Sequence, residues 1–282
     1  MPPSTLATTE QRNPASASLD TMSSLDIVSV MNTEDHRVAD AVGAALPQIA
    51  RAVDVVVAGM RAGGRLVYIG AGTSGRLGVL DAAECPPTFR TPADLVVGLI
   101  AGGREAVFTA VEGAEDDAGL GAADVDGLGV GEHDTVVGVA ASGRTPYVIG
   151  GLDRARERGA ATIALACTAR ASVCENADVA IEVVPGPEVL TGSSRLKAGT
   201  AQKLVLNMIS TAAMVRLGKV YGNLMVDVAP TNTKLIDRAR RIVSAATGCD
   251  NERAAAALAA ADGHAKTAIV MVACDIDADA AR

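Results

Sequence analysis

Five short apolar runs in the middle of the chain constrain its fold more than any other feature. They are mostly continuous rather than alternating, which is typical of strands buried on both faces of a sheet. Segments of helical pattern separate them, such as residues 146–158, which Gly159 ends. Strand–helix–strand repetition predicts an α/β fold with a doubly wound parallel sheet and right-handed crossovers. The runs cover residues 65–70, 94–100, 134–140, 161–167 and 179–184.

Helical patterns also flank these runs on both sides. Helical signals begin near Ser23, Thr33 is a good N-cap for a second helix, and a further helix is predicted over residues 48–61. Gly63 and Gly64 are expected to end it. After Ser193 the chain is predicted to be helical to its end, in segments near residues 195–217, 232–246, 251–261 and 266–274.

The composition excludes several classes of protein. The 282 residues carry 25 Lys and Arg against 33 Asp and Glu, a formal net charge of −8, which disfavours nucleic acid or an anionic membrane as partner. Three His and no Cys-x-x-Cys motif provide little for a structural zinc site. An aromatic content of 2% argues against a surface that stacks sugars or bases.

The expected location is the cytoplasm. The first 20 residues are polar and lack the apolar core of a secretory signal, and no apolar run approaches the ~20 residues that span a bilayer. The five Cys are odd in number and irregularly spaced, so mostly buried, reduced thiols are expected rather than a disulfide framework.

The loop after the first run contains a literal G-x-G-x-x-G pattern, from Gly70 to Gly75. A dinucleotide site would also need an acidic residue at the end of the next run, to bind the ribose hydroxyls. That run ends in residues 100–103 without one, and Asp94 stands at its opposite end. Dinucleotide binding is therefore disfavoured.

Hydroxyl side chains at three turns suit a phosphate better. Each turn opens a predicted helix, where backbone N–H groups and the helix dipole attract anions. The alternative is that each Ser only caps its helix. Because no Walker-type motif is present, we expect a phosphorylated small molecule bound without nucleotide, cofactor or metal. The candidate phosphate-binding residues are Thr73, Ser74, Ser142, Thr145, Ser193 and Ser194, with Arg144 and Lys197 as charge partners.

Two groups of carboxylates follow the first two runs. Glu84 stands just before Pro86 and Pro87, which are expected to end its helix. Residues 112–117 form a second acidic cluster that includes Glu115. Two carboxylates that converge on one pocket suit acid–base work on a sugar, whereas the ordinary alternative is a solvated surface.

With these residues in view, the chain closely resembles the N-acetylmuramic acid 6-phosphate etherases of the sugar isomerase (SIS) superfamily. The resemblance covers almost the whole chain, and its Glu-Cys-Pro-Pro-Thr and Gly-Ser-Ser-Arg-Leu-Lys motifs are highly specific. The matching segments are residues 9–14, 70–78, 81–88, 98–103, 110–116, 140–147, 191–203 and 222–227.

The resemblance implies a homodimer with a five-stranded αβα SIS sandwich at residues 55–220. An irregular N-terminal segment and helices precede it at 1–54, and a small helical C-terminal region follows at 221–282. Family members usually continue beyond Arg282, so this region is expected to be cut short. The implied activity is a carbon–oxygen lyase of cell-wall amino-sugar recycling, which cleaves the lactyl ether of its substrate to N-acetylglucosamine 6-phosphate and D-lactate. The family's catalytic glutamates map onto Glu84 and Glu115.

Elementary chemistry supports this reaction without a metal or cofactor. In the open-chain sugar the C1 aldehyde acidifies the C2 proton, so a carboxylate removes it and lactate leaves C3. Water then adds to the unsaturated aldehyde, and general acid–base help contributes roughly 10²–10⁴-fold. Two alternatives remain open, a non-catalytic SIS sensor of sugar phosphates and an aldose–ketose isomerase of the same superfamily.

Overall fold

A five-stranded parallel sheet organises the structure, a computed structural model that describes residues 7–228 and 233–282. The doubly wound sheet predicted from the sequence is confirmed, and each predicted run contains one of its strands. The strands are β1 (Leu66–Gly70), β2 (Val96–Ile100), β3 (Thr135–Ala140), β4 (Ala161–Ala166) and β5 (Val179–Glu182).

The strand order places the ends of β1, β2 and β3 side by side. The order is β2-β1-β3-β4-β5, and Gly70 at the end of β1 pairs with Ile100 on one side and Val139 on the other. The chain therefore winds in opposite directions from β1. In such sheets ligands bind beyond the carboxyl ends of the strands, at this switch point.

Six helices accompany the sheet, and the first corrects a prediction. Thr33 caps no second helix, because it lies inside one continuous helix and its hydroxyl donates to Ser29 O at 2.9 Å. A Thr that bonds back to the preceding turn in this way is compatible with a helix interior. The helices are α1 (Ser24–Ala44), α2 (Leu46–Arg61), α3 (Gly72–Phe89), α4 (Ala118–Gly127), α5 (Pro146–Glu157) and α6 (Lys197–Arg216).

The expectation that Pro86 and Pro87 end their helix is also wrong. Both lie inside α3, which continues to Phe89. Proline lacks an N–H but its carbonyl still accepts, and Arg90 N donates to Pro86 O at 2.9 Å. Arg90, with φ +50, then adopts the left-handed conformation typical of a residue that follows a helix.

The chain divides into two compact units. The first comprises Met1–Ala82 and Asp94–Ser210, and the second Ala83–Ala93 and Thr211–Arg282. The second unit has its own apolar core. The helix predicted over residues 232–246 begins, by that prediction, at a residue outside the described ones. The bounds 1–54, 55–220 and 221–282 remain a prediction. The remaining helices are α7 (Thr233–Thr247), α8 (Asn251–Ala260), α9 (Ala265–Cys274) and α10 (Ala278–Ala281).

In the described residues no single helix is long and apolar enough to cross a membrane. Two bent helix pairs, α1 with α2 and α8 with α9, reach that length and apolarity only when taken together.

Close packing of α4 and α5 fixes two segments that border the switch point. A Cβ added to Gly121 would lie 1.9 Å from Tyr147 O, and one added to Gly150 would lie 2.0 Å from Ala118 O, so both positions need glycine. The Tyr147 hydroxyl donates to Asp124 at 2.6 Å. α4 follows the acidic cluster and α5 follows the turn after β3, so this contact holds the two candidate segments in place.

Candidate active site

The first hydroxyl turn joins β1 to α3 and lies directly on the ends of β1 and β2. A Cβ added to Gly75 would lie 2.6 Å from both Gly70 O and the Ile100 side chain. Only glycine allows this approach. The start of α3 is therefore fixed at the switch point.

Ser74 in this turn contacts α6 through a buried amide. Its hydroxyl donates to Gln202 Oε1 at 3.0 Å, and both side chains are buried. Gln202 Nε2 is also buried, and within the described part of the chain it has no hydrogen-bond partner. Such an atom is costly unless something binds it, by roughly 1–3 kcal/mol. Thr73 is partly exposed beside it, with its methyl group 3.5 Å from the place of a Cβ on Gly199.

The second turn, after β3, carries hydroxyls that do little capping. Thr145 precedes α5 but its side chain caps no N–H, and Ser142 Oγ accepts only a long bond of 3.4 Å from Arg144 N. Gly143, with φ +71, makes the turn. Ser142 and Thr145 are partly exposed and Arg144 is exposed. Capping therefore does not account for these residues, which keeps them as candidates for ligand binding.

The third turn differs from the expectation for an anion site. The buried Glu188 carboxylate accepts from Lys197 N and from Ala198 N, each at 2.9 Å. Burial raises the pKa of the Glu188 carboxyl above its ordinary value, and these two bonds offset only part of the rise. The first backbone donors of α6 are thus occupied by the protein itself. The partly exposed hydroxyls of Ser193 and Ser194 remain as candidates.

The side chain of Lys197 is also committed within the protein. Its Nζ donates to Glu34 Oε2 at 2.6 Å and to Pro185 O at 3.1 Å, and 1% of the side chain is exposed. Asn13 donates to the same Glu34 oxygen at 2.9 Å. Burial raises the pKa of Glu34, but the bonds from Lys197 and Asn13 outweigh it and hold that pKa below its ordinary value. A direct contact of Lys197 with a phosphate would break this buried pair.

The N-terminal segment, residues 8–16, is hydrogen-bonded to the loops that follow β4 and β5. Thr8 N donates to Thr168 Oγ1 at 3.2 Å, just beyond β4. Asn13 donates to Pro187 O at 3.0 Å, and Ser16 donates to Val189 O at 2.7 Å. Sequence reasoning treated this segment as irregular. Asn13 lies in one of the family motifs, but nothing local in the sequence indicates the partners of these bonds.

A cavity of about 210 Å³ opens beside the start of α3, and Glu115 lines it. Glu112 and Arg76 line it as well, together with Gly72 at the start of α3 and Ala101 just after β2. Arg76 Nε donates to Val107 O at 2.9 Å, which orients the guanidinium. Arg76 was missed as a site residue, although it directly follows the Gly-rich pattern of residues 70–75.

The two candidate catalytic carboxylates are both exposed to solvent. Glu115 belongs to the first unit, in a single 3-10 turn, and Glu84 belongs to the second, on α3. Their assignment as the acid–base pair stays a prediction. Within residues 7–228 and 233–282 no three His, Cys, Asp or Glu side chains are grouped as metal ligands.

Comparisons with known proteins decide the family. The model of the glucokinase regulatory protein N-terminal SIS domain matches residues 48–156, and that of the SIS domain matches residues 119–212. A Cutibacterium acnes protein named N-acetylmuramic acid 6-phosphate etherase is 62% identical over 98% of this chain and 91% of its own length. The chain belongs to the N-acetylmuramic acid 6-phosphate etherase family.

Other relatives agree with this placement. The etherase of Mycolicibacterium smegmatis is also 62% identical, over 97% of this chain and 92% of its own. Among solved structures, the phosphoheptose isomerase of Neisseria gonorrhoeae matches with a TM-score of 0.53 at 20% identity, over 68% of this chain and 98% of that one. The phosphoheptose isomerase of Francisella tularensis matches with a TM-score of 0.53 at 19% identity, over 69% of this chain and 100% of that one. At such low identity these structures show only that this chain shares their fold.

Proposed function

We propose that this chain cleaves the lactyl ether of N-acetylmuramic acid 6-phosphate with water, giving N-acetylglucosamine 6-phosphate and D-lactate. The observation that carries the proposal is 62% identity to a named etherase over 98% of the chain. The product sugar and lactate are both reusable, which suits cell-wall amino-sugar recycling. A cytoplasmic location and a homodimer belong to the same proposal.

The phosphate is bound at the start of α3 and the turn after β3. Thr73, Ser74, Ser142 and Thr145 supply hydroxyls, and the buried, unpartnered amide nitrogen of Gln202 supports a ligand beside Ser74. The positive end of the α3 dipole attracts the anion. This binding energy is remote from the reacting bond and positions the sugar. Arg144 adds charge at the rim, with Ser193 and Ser194 as further hydroxyls.

The reaction itself proceeds by elimination and hydration. In the open-chain sugar, Glu115 takes the C2 proton as the C3–oxygen bond breaks, and Glu84 protonates the departing lactate oxygen. The product is an unsaturated aldehyde. Water then adds at C3 while a proton returns to C2, which gives the free hydroxyl. The family resemblance supports the pair of glutamates, whereas the assignment of each one to a step is our own hypothesis, with activation of the incoming water as the alternative role of Glu115. Each step uses only carboxylates and water.

A non-catalytic sensor is the second candidate, because the glucokinase regulatory SIS model matches residues 48–156. A sensor would bind sugar phosphates without consuming them. The exposed Glu84 and Glu115 favour the enzyme instead, since a binding protein needs neither.

One assay separates the candidates. The protein is incubated with N-acetylmuramic acid 6-phosphate and, separately, with the unphosphorylated sugar, and D-lactate is measured. Release from the phosphorylated sugar alone supports the proposal. Binding without release would indicate a sensor, and a new ketose without D-lactate would indicate an isomerase.

A further inference from the structure

The substrate of the proposed function carries two anionic groups at distant positions. One is the phosphate on C6, and the other is the carboxylate of the lactyl group on C3. The hydroxyl turns account for the first. The second also needs a partner, because a carboxylate that enters a site already containing acidic side chains is repelled unless a cation is near.

The cavity beside α3 contains such acidic side chains. Glu115 and Glu112 both line it, and Arg76 is the one cation among the described residues that line it. If Glu115 acts at C2, the C3 end of the sugar and its lactyl group must enter this cavity. A volume of about 210 Å³ suits part of a ligand rather than a whole one, since complete small-molecule sites span roughly 300–1,000 Å³.

Arg76 lies on a different side of α3 from the proposed phosphate contact. Ser74 and Arg76 are two residues apart, about 200° around the helix axis. Ser74 reaches Gln202 on α6, whereas Arg76 reaches Val107 in the segment after β2. The two sides of one helix start therefore face two different partners.

The protein contact of Arg76 orients its guanidinium but uses only part of its hydrogen-bond donors. Its Nε bonds Val107 O at 2.9 Å, which uses one of five N–H donors. A guanidinium held in this way offers a planar pair of donors that matches a carboxylate. The side chain is partly buried, so the interaction is shielded from bulk water.

We propose that Arg76 binds the lactyl carboxylate of the substrate, in the cavity that it shares with Glu112 and Glu115. This inference rests on the proposed function and deepens it. It makes Arg76 the residue that distinguishes the lactyl sugar from the product, N-acetylglucosamine 6-phosphate, which has a phosphate but no carboxylate.

The test compares two ligands on matched variants. The dissociation constants of N-acetylmuramic acid 6-phosphate and N-acetylglucosamine 6-phosphate are measured for Arg76→Met and Arg76→Lys in a Glu84→Gln background, so that substrate is consumed only slowly. Arg104→Met is the control, because the exposed Arg104 follows the same strand but does not line this cavity. Far-ultraviolet circular dichroism checks that each variant is folded.

Arg76→Met should weaken binding of the lactyl sugar by roughly 10- to 100-fold, as expected for a lost bond to a charged group. Binding of N-acetylglucosamine 6-phosphate should not change. Arg76→Lys should recover part of the loss, and Arg104→Met should affect neither ligand. An equal loss for both ligands would overturn the inference, because Arg76 would then hold the phosphate or only the Val107 segment.

A second ligand tests the carboxylate directly. In an analogue whose lactyl carboxylate is a neutral carboxamide, the protein with Arg76 should lose affinity, whereas Arg76→Met should lose nothing further. A penalty that persists in Arg76→Met would contradict the inference. Absence of D-lactate release by the unmodified protein would instead refute the proposed function, and these binding ratios would still decide the role of Arg76.

Discussion

α3 begins at Gly72 and α6 at Lys197, and both follow turns that are rich in glycine and hydroxyl side chains. At α6 the first N–H groups are bonded to the buried carboxylate of Glu188. At α3, Ser74 meets a buried amide whose nitrogen has no partner in the described structure. The same local pattern thus produces two kinds of helix start. At α6 the first N–H groups are bonded within the protein, which we call a closed start, whereas at α3 a buried polar group remains available to a ligand. The difference at α6 comes from the buried Glu188 carboxylate, which lies just before the turn in the sequence.

The largest effect is expected from substitution of the two candidate catalytic carboxylates, Glu84 and Glu115. Glu84→Gln and Glu115→Gln should each lower kcat by roughly 10²–10⁴-fold, because an amide neither accepts nor donates a proton in the reaction. Binding of N-acetylglucosamine 6-phosphate should be nearly intact. Glu105→Gln, an exposed residue that does not line the cavity, is the control. A near-normal kcat in Glu84→Gln or Glu115→Gln would remove that residue from the mechanism.

Breaking the buried pair at α6 should reduce stability rather than substrate affinity alone. Lys197→Met removes the buried cation of Glu34 and leaves the carboxylate with the largely exposed Arg37, 3.0 Å from its other oxygen, so we expect a loss of up to about 3–5 kcal/mol of unfolding free energy. Urea denaturation measures this, and Lys203→Met, exposed on the same helix, should change little. Unchanged stability with a raised KM would make the Lys197 side chain a ligand contact rather than half of a buried ion pair.

The same pair predicts a dependence on pH. The folded-state pKa of Glu34 lies below its ordinary value, so its ionised form contributes stability above the unfolded pKa of about 4.3. That contribution is lost as the pH falls through the folded pKa. The stability difference between the unmodified protein and Lys197→Met should therefore shrink below about pH 4.3. A difference that stays constant with pH would argue against the ion pair as its cause.

The cap at α6 should matter somewhat less. Glu188→Leu leaves two buried N–H groups without an acceptor, and we expect a loss of about 1–3 kcal/mol in urea denaturation. A matched change at the exposed Glu175 should have little effect on stability. If Glu188→Leu were as stable as the unmodified protein, the closed state of the α6 start would not depend on this carboxylate.

The smallest effect is expected from Ser74 at the start of α3, and it tests whether this helix start binds the phosphate. Ser74→Ala should raise KM for the phosphorylated substrate roughly 3- to 10-fold, because one of several bonds to the phosphate is lost. Stability should change far less than in Glu188→Leu. Ser172→Ala, an exposed serine outside the turns, is the control. An unchanged KM would leave the hydroxyl of Ser74 with a structural role only.

Much of the fold follows from local patterns. Continuous apolar runs identify all five strands, because a strand covered on both faces needs apolar residues throughout. The helix boundaries at Thr33 and Pro86 were wrong because tertiary packing and neighbouring turns outweigh one residue's preference. The phosphate turns and the pair of glutamates were likewise visible as patterns, and their roles stay predictions.

The remaining features depend on contacts between distant residues. Glu34 and Lys197 are 163 positions apart, and Glu188 reaches α6 from a loop. Arg76 was visible in its motif, but its cavity exists only once the segment after β2 is placed beside α3. The bonds of Glu188 to the start of α6 span only nine and ten positions, but no known local motif marks them, so the folded chain is needed to show that this helix start is closed.

The most direct test of the mechanism is to run the reaction in D₂O and examine C2 of the product by nuclear magnetic resonance. Elimination and hydration remove the C2 proton and later return one from a solvent-exchanged group. The proposed mechanism predicts N-acetylglucosamine 6-phosphate with deuterium at C2, formed together with D-lactate. D-lactate released with the original proton still at C2 would contradict it, because the ether would then have been cleaved without proton abstraction at that carbon.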